Sequence, residues 1–373
     1  MGAFAIYRLP YESECRLVMQ EKGMPEELPS VAALSGKNGF AMAPFAADRK
    51  HPVIVIQPQE EVSFLPEELE TGDGEAVEWR RRMEHILQEP KQEERIKAGT
   101  HTHYAIDFAN FHSHIIEGEF SKIVLARCCR ETPPEGLGAI TMFTRACKRY
   151  PRLFVALVSA KRCGTWLMAT PEVLLEGEGR QWRTMSLAGT MTLDDEQLDF
   201  DEPPTPQPVD SQRILWSIKN IQEQRFVSTY ITESLEQVAN DIEERGPFTM
   251  RAGNLVHLRS DFFFTMEHPD DIGRLLSILY PTPAVCGLPK DDARDFILRN
   301  EFAKRQYYSG FAGPLAVPEG THLYVSLRCM RIDDEGCSLY AGGGIMADSE
   351  QEAEWRETED KMGTMRDVLF PPA

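Results

Sequence analysis

The sequence predicts an α+β protein, and three observations carry that class. Short apolar runs such as Ala3-Phe4-Ala5-Ile6-Tyr7 and Val53-Ile54-Val55-Ile56 are bounded by turn-formers, the pattern of antiparallel strands. Other stretches place apolar residues at helical spacing, as at Ile106, Phe108, Phe111, Ile115 and Ile116. With 373 residues, 42% hydrophobic and 27% charged, the chain has an ordinary globular composition and can bury a large core. At about 150 residues per domain the length suggests two or three domains, and one large α+β domain fits equally well.

Taken in order, residues 1 to about 100 read as antiparallel strands and turns. Glu61 to Leu69 reads as a loop, and Gly74 to Lys97 as a charged helical region interrupted at Pro90 and ending at Gly99, both of them surface connections. From Tyr104 the pattern sharpens into an amphipathic helix through Ile116, with Glu117-Gly118-Glu119 as a turn. Ser121 to Arg127 is a strand with Lys122 at its start. Ile140 to Tyr150 is a helix and Leu153 to Ser159 a strand. Trp166 to Leu175 is a strand broken at Pro171, so Glu172 sits at a bend. Trp182 to Leu187 continues into Ala188-Gly189-Thr190. Leu193 to Gln212, acidic and carrying Pro203, Pro204, Pro206 and Pro208, is a loop. Ile214 to Asn240 is a long helix with Lys219, Glu223 and Gln224. Strands around Val256-His257-Leu258 and Phe262-Phe263-Phe264 precede a short helix, Asp271 to Leu279. Tyr280 to Lys290 is a structured loop and Asp291 to Arg305 a helix. Tyr307 to Pro314 leads to paired strands, Leu323 to Ile332 and Cys337 to Ala341.

The net charge of −19 argues against general binding of nucleic acid or an anionic membrane, both of which need a basic footprint. An anionic substrate would need local cations to overcome that field. No apolar run approaches the roughly 18 residues of a membrane span. Met1 to Met19 lacks the basic start and apolar middle of a signal peptide, so a cytoplasmic protein is expected. Eight cysteines without a CxxC pair read as reduced and mostly buried. Adjacent Cys128 and Cys129 point to opposite faces of a strand, which disfavours a shared metal.

The stretch with the densest chemistry is Ala341 to Lys361, AGGGIMADSEQEAEWRETEDK. Glu354, Glu357 and Lys361 fall at i, i+3 and i+7 of an acidic helix and share one face. Two carboxylates on one face form a half-site for a hard cation, which takes oxygen ligands. The three glycines before the helix let backbone approach an anionic group and present amide donors. By itself this segment also reads as an ordinary solvated helix face.

Eight collinear segments resemble one family: SKIVLAR, TPEVLL, LAGT, SIKNIQEQRFV, YPTPAVCGLPK, YYSGFAGP, LYVSLRC and AGGGIMADSEQEAEWRETEDK. Over residues 104 to 366 the chain resembles the chorismate-utilising enzymes, which include the anthranilate, aminodeoxychorismate, salicylate and isochorismate synthases. The resemblance implies a single domain over residues 1–373, with divergent strands and a helix in residues 1–103. It also implies a large two-lobed antiparallel β-sandwich with flanking helices, a cleft between the lobes, and Mg²⁺ as cofactor.

The same resemblance implies roles. Lys122 matches the lysine that in isochorismate and salicylate synthases activates water, with burial or nearby positive charge expected to tune it as a base. Glu172 matches the general acid that protonates the departing hydroxyl. Glu223 and Glu357 match Mg²⁺ ligands, with Glu354 holding metal-bound water. Tyr308 and Arg328 match the pair that binds a substrate carboxylate, for which a planar guanidinium is suited. Lys361 and the backbone of Gly342, Gly343 and Gly344 surround the ring carboxylate, while Gly189 and Thr190 lie against the ring and its hydroxyl. Ala284 belongs to a Pro-Thr-Pro-Ala loop that resembles isochorismate synthases more than salicylate or anthranilate synthases. Two departures stand out: Glu223-Gln224 where the family usually has Glu-His, and Lys219-Asn220 where it usually has Lys-Asp. The loop from Thr190 to Lys219 is also long.

The implied activity is isomerisation of chorismate to isochorismate, for menaquinone or catecholate-siderophore synthesis. No glutamine amidotransferase subunit is expected, and a monomer is. A salicylate synthase is the alternative enzyme. A catalytically dead binding subunit would be expected to lack Lys122, Glu172 or the carboxylates, and this chain has all of them.

Overall fold

The computed structural model describes residues 2–71, 76–92, 94, 96–192, 215–252, 255–268, 271–315 and 320–372. Its strands are β1 (Ala3–Arg8), β2 (Cys15–Gln20), β3 (Glu26–Leu28), β4 (Gly39–Ala43), β5 (Val53–Ile56), β6 (Glu60–Phe64), β7 (Lys122–Glu131), β8 (Phe154–Ala160), β9 (Gly164–Thr170), β10 (Val173–Glu178), β11 (Gln181–Thr192), β12 (Asn240–Ala252), β13 (Leu255–Thr265), β14 (Gly287–Leu288), β15 (Phe311–Leu315), β16 (Thr321–Val325), β17 (Cys329–Asp333) and β18 (Gly336–Ile345). The helices are α1 (Glu68–Thr71), α2 (Ala76–Gln88), α3 (His101–Ile116), α4 (Ala139–Arg149), α5 (Ile218–Leu235), α6 (Ile272–Leu279), α7 (Lys290–Asn300) and α8 (Gln351–Leu369). None of these is long and apolar enough to cross a membrane.

Among the described residues these strands form two nine-stranded antiparallel sheets. One runs β14-β7-β18-β17-β9-β8-β1-β2-β6, the other β12-β13-β11-β10-β16-β15-β4-β5-β3. Both contain strands from the first hundred residues: β1 pairs with β8, and β4 with β15. Alternating side chains from the two inner faces meet in a core that includes Tyr7, Phe40, Phe154, Trp166 and Tyr324. Phe154 and Tyr324 stack across the sheets with centroids 4.2 Å apart. Such a pair adds about 0.5–1.5 kcal/mol to the area it buries. Helices α2, α4 and α8 cover the outer face of the first sheet, and α5 and α6 that of the second. This is the α+β sandwich expected.

Several elements depart from expectation. Residues 60 to 64 form an edge strand, not a loop, because Phe64 is buried while Glu60 and Glu61 face solvent. The long helix ends at Leu235, and β12, not anticipated, follows it. Its exposed Glu243, Glu244 and Arg245 are the charges that guard an edge strand, and they hide the apolar alternation from a reader of the sequence. Residues 255 to 265 are one strand, not two. Helix α7 stops at Asn300 because Glu301 and Arg305 serve tertiary bonds: Glu301 accepts from the Ala126 amide at 2.7 Å, and Arg305 donates to the Val285 and Val124 carbonyls. The expected strand from Leu323 to Ile332 is β16 and β17, which belong to different sheets. The proline-rich segment from Leu193 to Gln212 lies outside the described residues. All eight cysteines are free, and Cys128 and Cys129 pack on opposite sides of their sheet.

Candidate active site

Two crossings between the sheets build the site. Pro171-Glu172 links β9 to β10, and Ser326-Leu327-Arg328 links β16 to β17. The crossings lie side by side: the Val325 amide donates to the Glu172 carbonyl at 2.9 Å, and the Ala169 amide to the Arg328 carbonyl at 3.1 Å. A strand that changes sheets turns a side chain into the space between them. Glu172 and Arg328 are so placed, at 3% and 7% exposure, on one cavity of about 660 Å³ including its open mouth. Arg328 has a left-handed φ of 45°, a strained conformation for a non-glycine residue and frequent at functional sites. Burial pushes the Glu172 carboxyl up to about 8, against the pull of Lys122, Lys361 and Arg328.

Gly189, Thr190, Glu223, Ala284, Tyr308, Gly342 and Lys361 line the same cavity. Gly189 is required where it stands. Its φ is 69°, the β11 register slips between Ala188 and Thr190, and a Cβ there would meet the Asn220 carbonyl oxygen at 3.0 Å. The bulge aims Thr190 at His257, a residue that the sequence did not single out. Arg328 Nη2 is 2.7 Å from His257 Nε2, and Thr190 Oγ1 is 3.3 Å from Nδ1. A guanidinium can only donate, so Nε2 accepts and Nδ1 carries the proton, which faces the Gly189 carbonyl and Thr190 Oγ1. Burial, Arg328 and Lys361 hold the imidazole well below its usual range, and it is neutral. The sequence signal for this histidine is weak: His257, Arg259 and Asp261 fall at alternate positions, so one face of this strand is polar.

Gln224 does not face the cavity. Its Oε1 accepts from the Ala188 amide at 3.1 Å and its Nε2 donates to Ser186 Oγ at 2.6 Å, so it anchors α5 to β11. Asn220 reaches the Thr190 carbonyl at 3.4 Å. Both departures from the family pattern therefore hold the bulge that presents Thr190.

Lys122 is fully buried behind the cavity wall, with Nζ 3.0 Å from Glu223 Oε1. Of the two surroundings expected for it, burial is present, and its close neighbour is a carboxylate. Burial works against the charge of Glu223, but Lys122, Lys361 and Lys219 outweigh it and hold the carboxyl below its usual range. The glycine triplet lies inside β18, paired with β7, and does not follow the strand. Its use is space. A Cβ at Gly344 would lie 2.4 Å from Glu223 Oε1 and 2.8 Å from Lys122 Cε; at Gly343 it would meet Glu354 Oε2 at 3.0 Å; at Gly342, the Tyr308 hydroxyl at 2.9 Å. Lys361 Nζ contacts the Gly342 carbonyl at 2.9 Å and Glu357 Oε1 at 2.6 Å. The helix face of Glu354, Glu357 and Lys361 is thus turned inward, not solvated.

Glu354 is 1% exposed. Its Oε1 accepts from Lys219, and its Oε2 has no aligned donor, although the Ser349 hydroxyl is near enough to favour its charge. Burial and the charge of Glu357 push this carboxyl up to about 7. Three carboxylates, one with an orphaned buried oxygen, suit a hard cation. Their ligand atoms do not all close to within 4.8 Å of one another; among the described residues only His114, Glu117 and Glu119 at the surface do so.

A match to the family described as chorismate binding enzyme covers residues 52–370. Isochorismate synthase MenF of Escherichia coli (strain K12) is 29% identical over 255 residues, 68% of this chain and 57% of that protein. Isochorismate synthase DhbC of Bacillus subtilis (strain 168) is 30% identical over 265 residues, covering 68% and 64%. The chain therefore spans about three-fifths of the length of these relatives. Among solved structures, a putative 2,3-dihydroxybenzoate-specific isochorismate synthase, DhbC from Bacillus anthracis, superposes with a TM-score of 0.77 over 98% of this chain and 96% of that one, at 21% identity. That likeness establishes the fold. The match over residues 52–370, with 30% identity to a relative across 68% of the chain, makes this protein a member of the chorismate binding enzymes.

Proposed function

We propose that the chain is a Mg²⁺-dependent isochorismate synthase acting on chorismate. The observation that carries this reading is one cavity with Glu172, pushed up to about 8, on its wall and the buried lysine Lys122 behind it. An acid and a base are the chemical minimum for adding water at C2 and losing hydroxide from C4. Lys122 takes a proton from water as its oxygen bonds to C2. The ring double bonds shift, and the C4–O bond breaks as Glu172 gives its proton to the leaving hydroxyl. The exchange is an isomerisation and needs no oxidant.

Arg328 and Tyr308 bind one substrate carboxylate, and Lys361 the other, which supplies the local cations that a chain of net charge −19 needs for a dianion. Neutral His257 holds Arg328 from behind and orients the Thr190 hydroxyl against the ring. Glu223, Glu354 and Glu357 would hold Mg²⁺, whose chemistry when bound is to neutralise and orient a substrate carboxylate. The lysine at position 122 favours water over ammonia, and no amidotransferase partner is needed. The chain works as one domain, as a cytoplasmic monomer, and its product serves menaquinone or catecholate-siderophore synthesis.

The test is incubation of the protein with chorismate and Mg²⁺ and chromatographic identification of the product. A chorismate–isochorismate mixture reached from either side is expected, since the bond types on the two sides are alike. Fluorescent salicylate with stoichiometric pyruvate would overturn the reading in favour of a salicylate synthase.

A further inference from the structure

Each carboxylate of the proposed cation site is held by its own lysine. Lys122 pairs with Glu223 at 3.0 Å, Lys361 with Glu357 at 2.6 Å, and Lys219 with Glu354. Two of these lysines have work in the proposed reaction. Lys219 has none and is absent from the cavity wall. It sits one turn before Glu223 on α5, so the helix that supplies one carboxylate also supplies an ammonium to another.

We propose that Lys219 is a tethered counter-cation that competes with the divalent metal for Glu354. The inference rests on reading the three carboxylates as the cation site. Without metal, the buried carboxylate of Glu354 and the half-buried ones of Glu223 and Glu357 would repel one another; Lys219 neutralises the most buried of them and holds α5 against α8. A metal ion must exchange its own charge for that of Lys219. The pairing keeps Glu354 Oε1 engaged while Oε2 has no aligned donor, which fits a ligand waiting on exchange. It also fits the failure of the three carboxylates to converge. Metal affinity is thereby lowered, and the metal-free protein gains order.

The experiment titrates Mg²⁺ and Mn²⁺, without substrate, into the full chain and its Lys219→Met and Lys219→Arg variants, by calorimetry and, for Mn²⁺, by electron paramagnetic resonance. Lys219→Met should bind metal about tenfold more tightly, the ordinary scale of one coupled site. Its metal-free Tm should fall, and saturating Mg²⁺ should restore it. Lys219→Arg, which keeps the charge, should stay near the parent. Lys219→Gln takes the place of the methionine variant if that one does not fold. Unchanged or weaker metal binding in Lys219→Met, with the parent binding normally, overturns the inference alone. Absence of metal binding by the parent overturns the cation-site reading, and the inference with it.

Discussion

Lys122 Nζ lies 3.0 Å from Glu223 Oε1, and the pair fits only because position 344 has no side chain. A Cβ there would intrude to 2.4 Å from the carboxylate oxygen and 2.8 Å from Lys122 Cε. The proposed base and a proposed metal ligand are thus held by a glycine on a third element. Gly344→Ala should keep the strand, since φ at this position is not left-handed, but displace both groups. We expect a stability loss of about 1–3 kcal/mol, the range for overpacking a core, and a fall in kcat of about 10² or more. Thermal unfolding and steady-state kinetics measure the two; parent-like kcat would detach Glu223 and Lys122 from catalysis.

Lys122→Ala and Glu172→Gln should each lower kcat by about 10² or more, the usual scale for a lost general base or acid. Near-normal turnover in either variant would remove that residue from its role.

Glu172 also sets a pH dependence. With its carboxyl raised to about 8, the parent loses the acid as pH climbs through that value, so kcat falls on the alkaline side. Stability has the same sign. The unfolded chain releases this proton near its ordinary value and the native protein only near 8, so the native state loses stability as pH rises between them. Glu172→Gln removes the difference and should gain a few kcal/mol on the parent by pH 8 to 9, roughly 1.4 kcal/mol for each tenfold difference in proton affinity between the two states. Denaturant titrations of both proteins at pH 5 and 9 measure it; a constant gap between them would contradict the burial argument.

Removal of the metal should abolish turnover. EDTA should silence the enzyme and Mg²⁺ restore it. Glu357→Gln deletes a charge at nearly constant volume, so the fold should persist while metal affinity drops. Mn²⁺ binding followed by electron paramagnetic resonance is the direct readout, and a parent-like affinity would mean that Glu357 is no ligand.

His257 should act through its neighbours. His257→Ala removes the acceptor that Arg328 Nη2 faces and the ring N–H beside Thr190, a defect of about 1–3 kcal/mol for a lost buried hydrogen bond. We expect KM for chorismate to rise about tenfold or more, and His257→Gln, which offers an acceptor, to recover part of it. Equal kinetics for the two variants would mean that the imidazole only fills space.

Local pattern was enough to place several candidate residues on their elements, while their roles came from the family resemblance. Lys122 at a strand start, Glu172 after a proline that stops a strand, and the i, i+3, i+7 face of Glu354, Glu357 and Lys361 depend on near neighbours in sequence, and they are where the sequence placed them. The helices α3, α4 and α6 were legible for the same reason. The edge strand β12 was not, because an edge shows charge where a central strand shows apolar alternation.

What only the tertiary structure decided is partnership. Nothing near Pro171 or Leu327 states that the chain changes sheets there, since a strand's sheet depends on which distant strand it pairs with. That exchange brings Glu172 and Arg328 to one cavity and gives Arg328 a buried histidine as its partner. The room that the glycine triplet leaves, into which side chains from β7, α5 and α8 converge, was equally invisible in the sequence. The lysine that each carboxylate receives was likewise invisible. Sequence spacing reports which residues share a face of one element, whereas charge pairing across elements follows from packing.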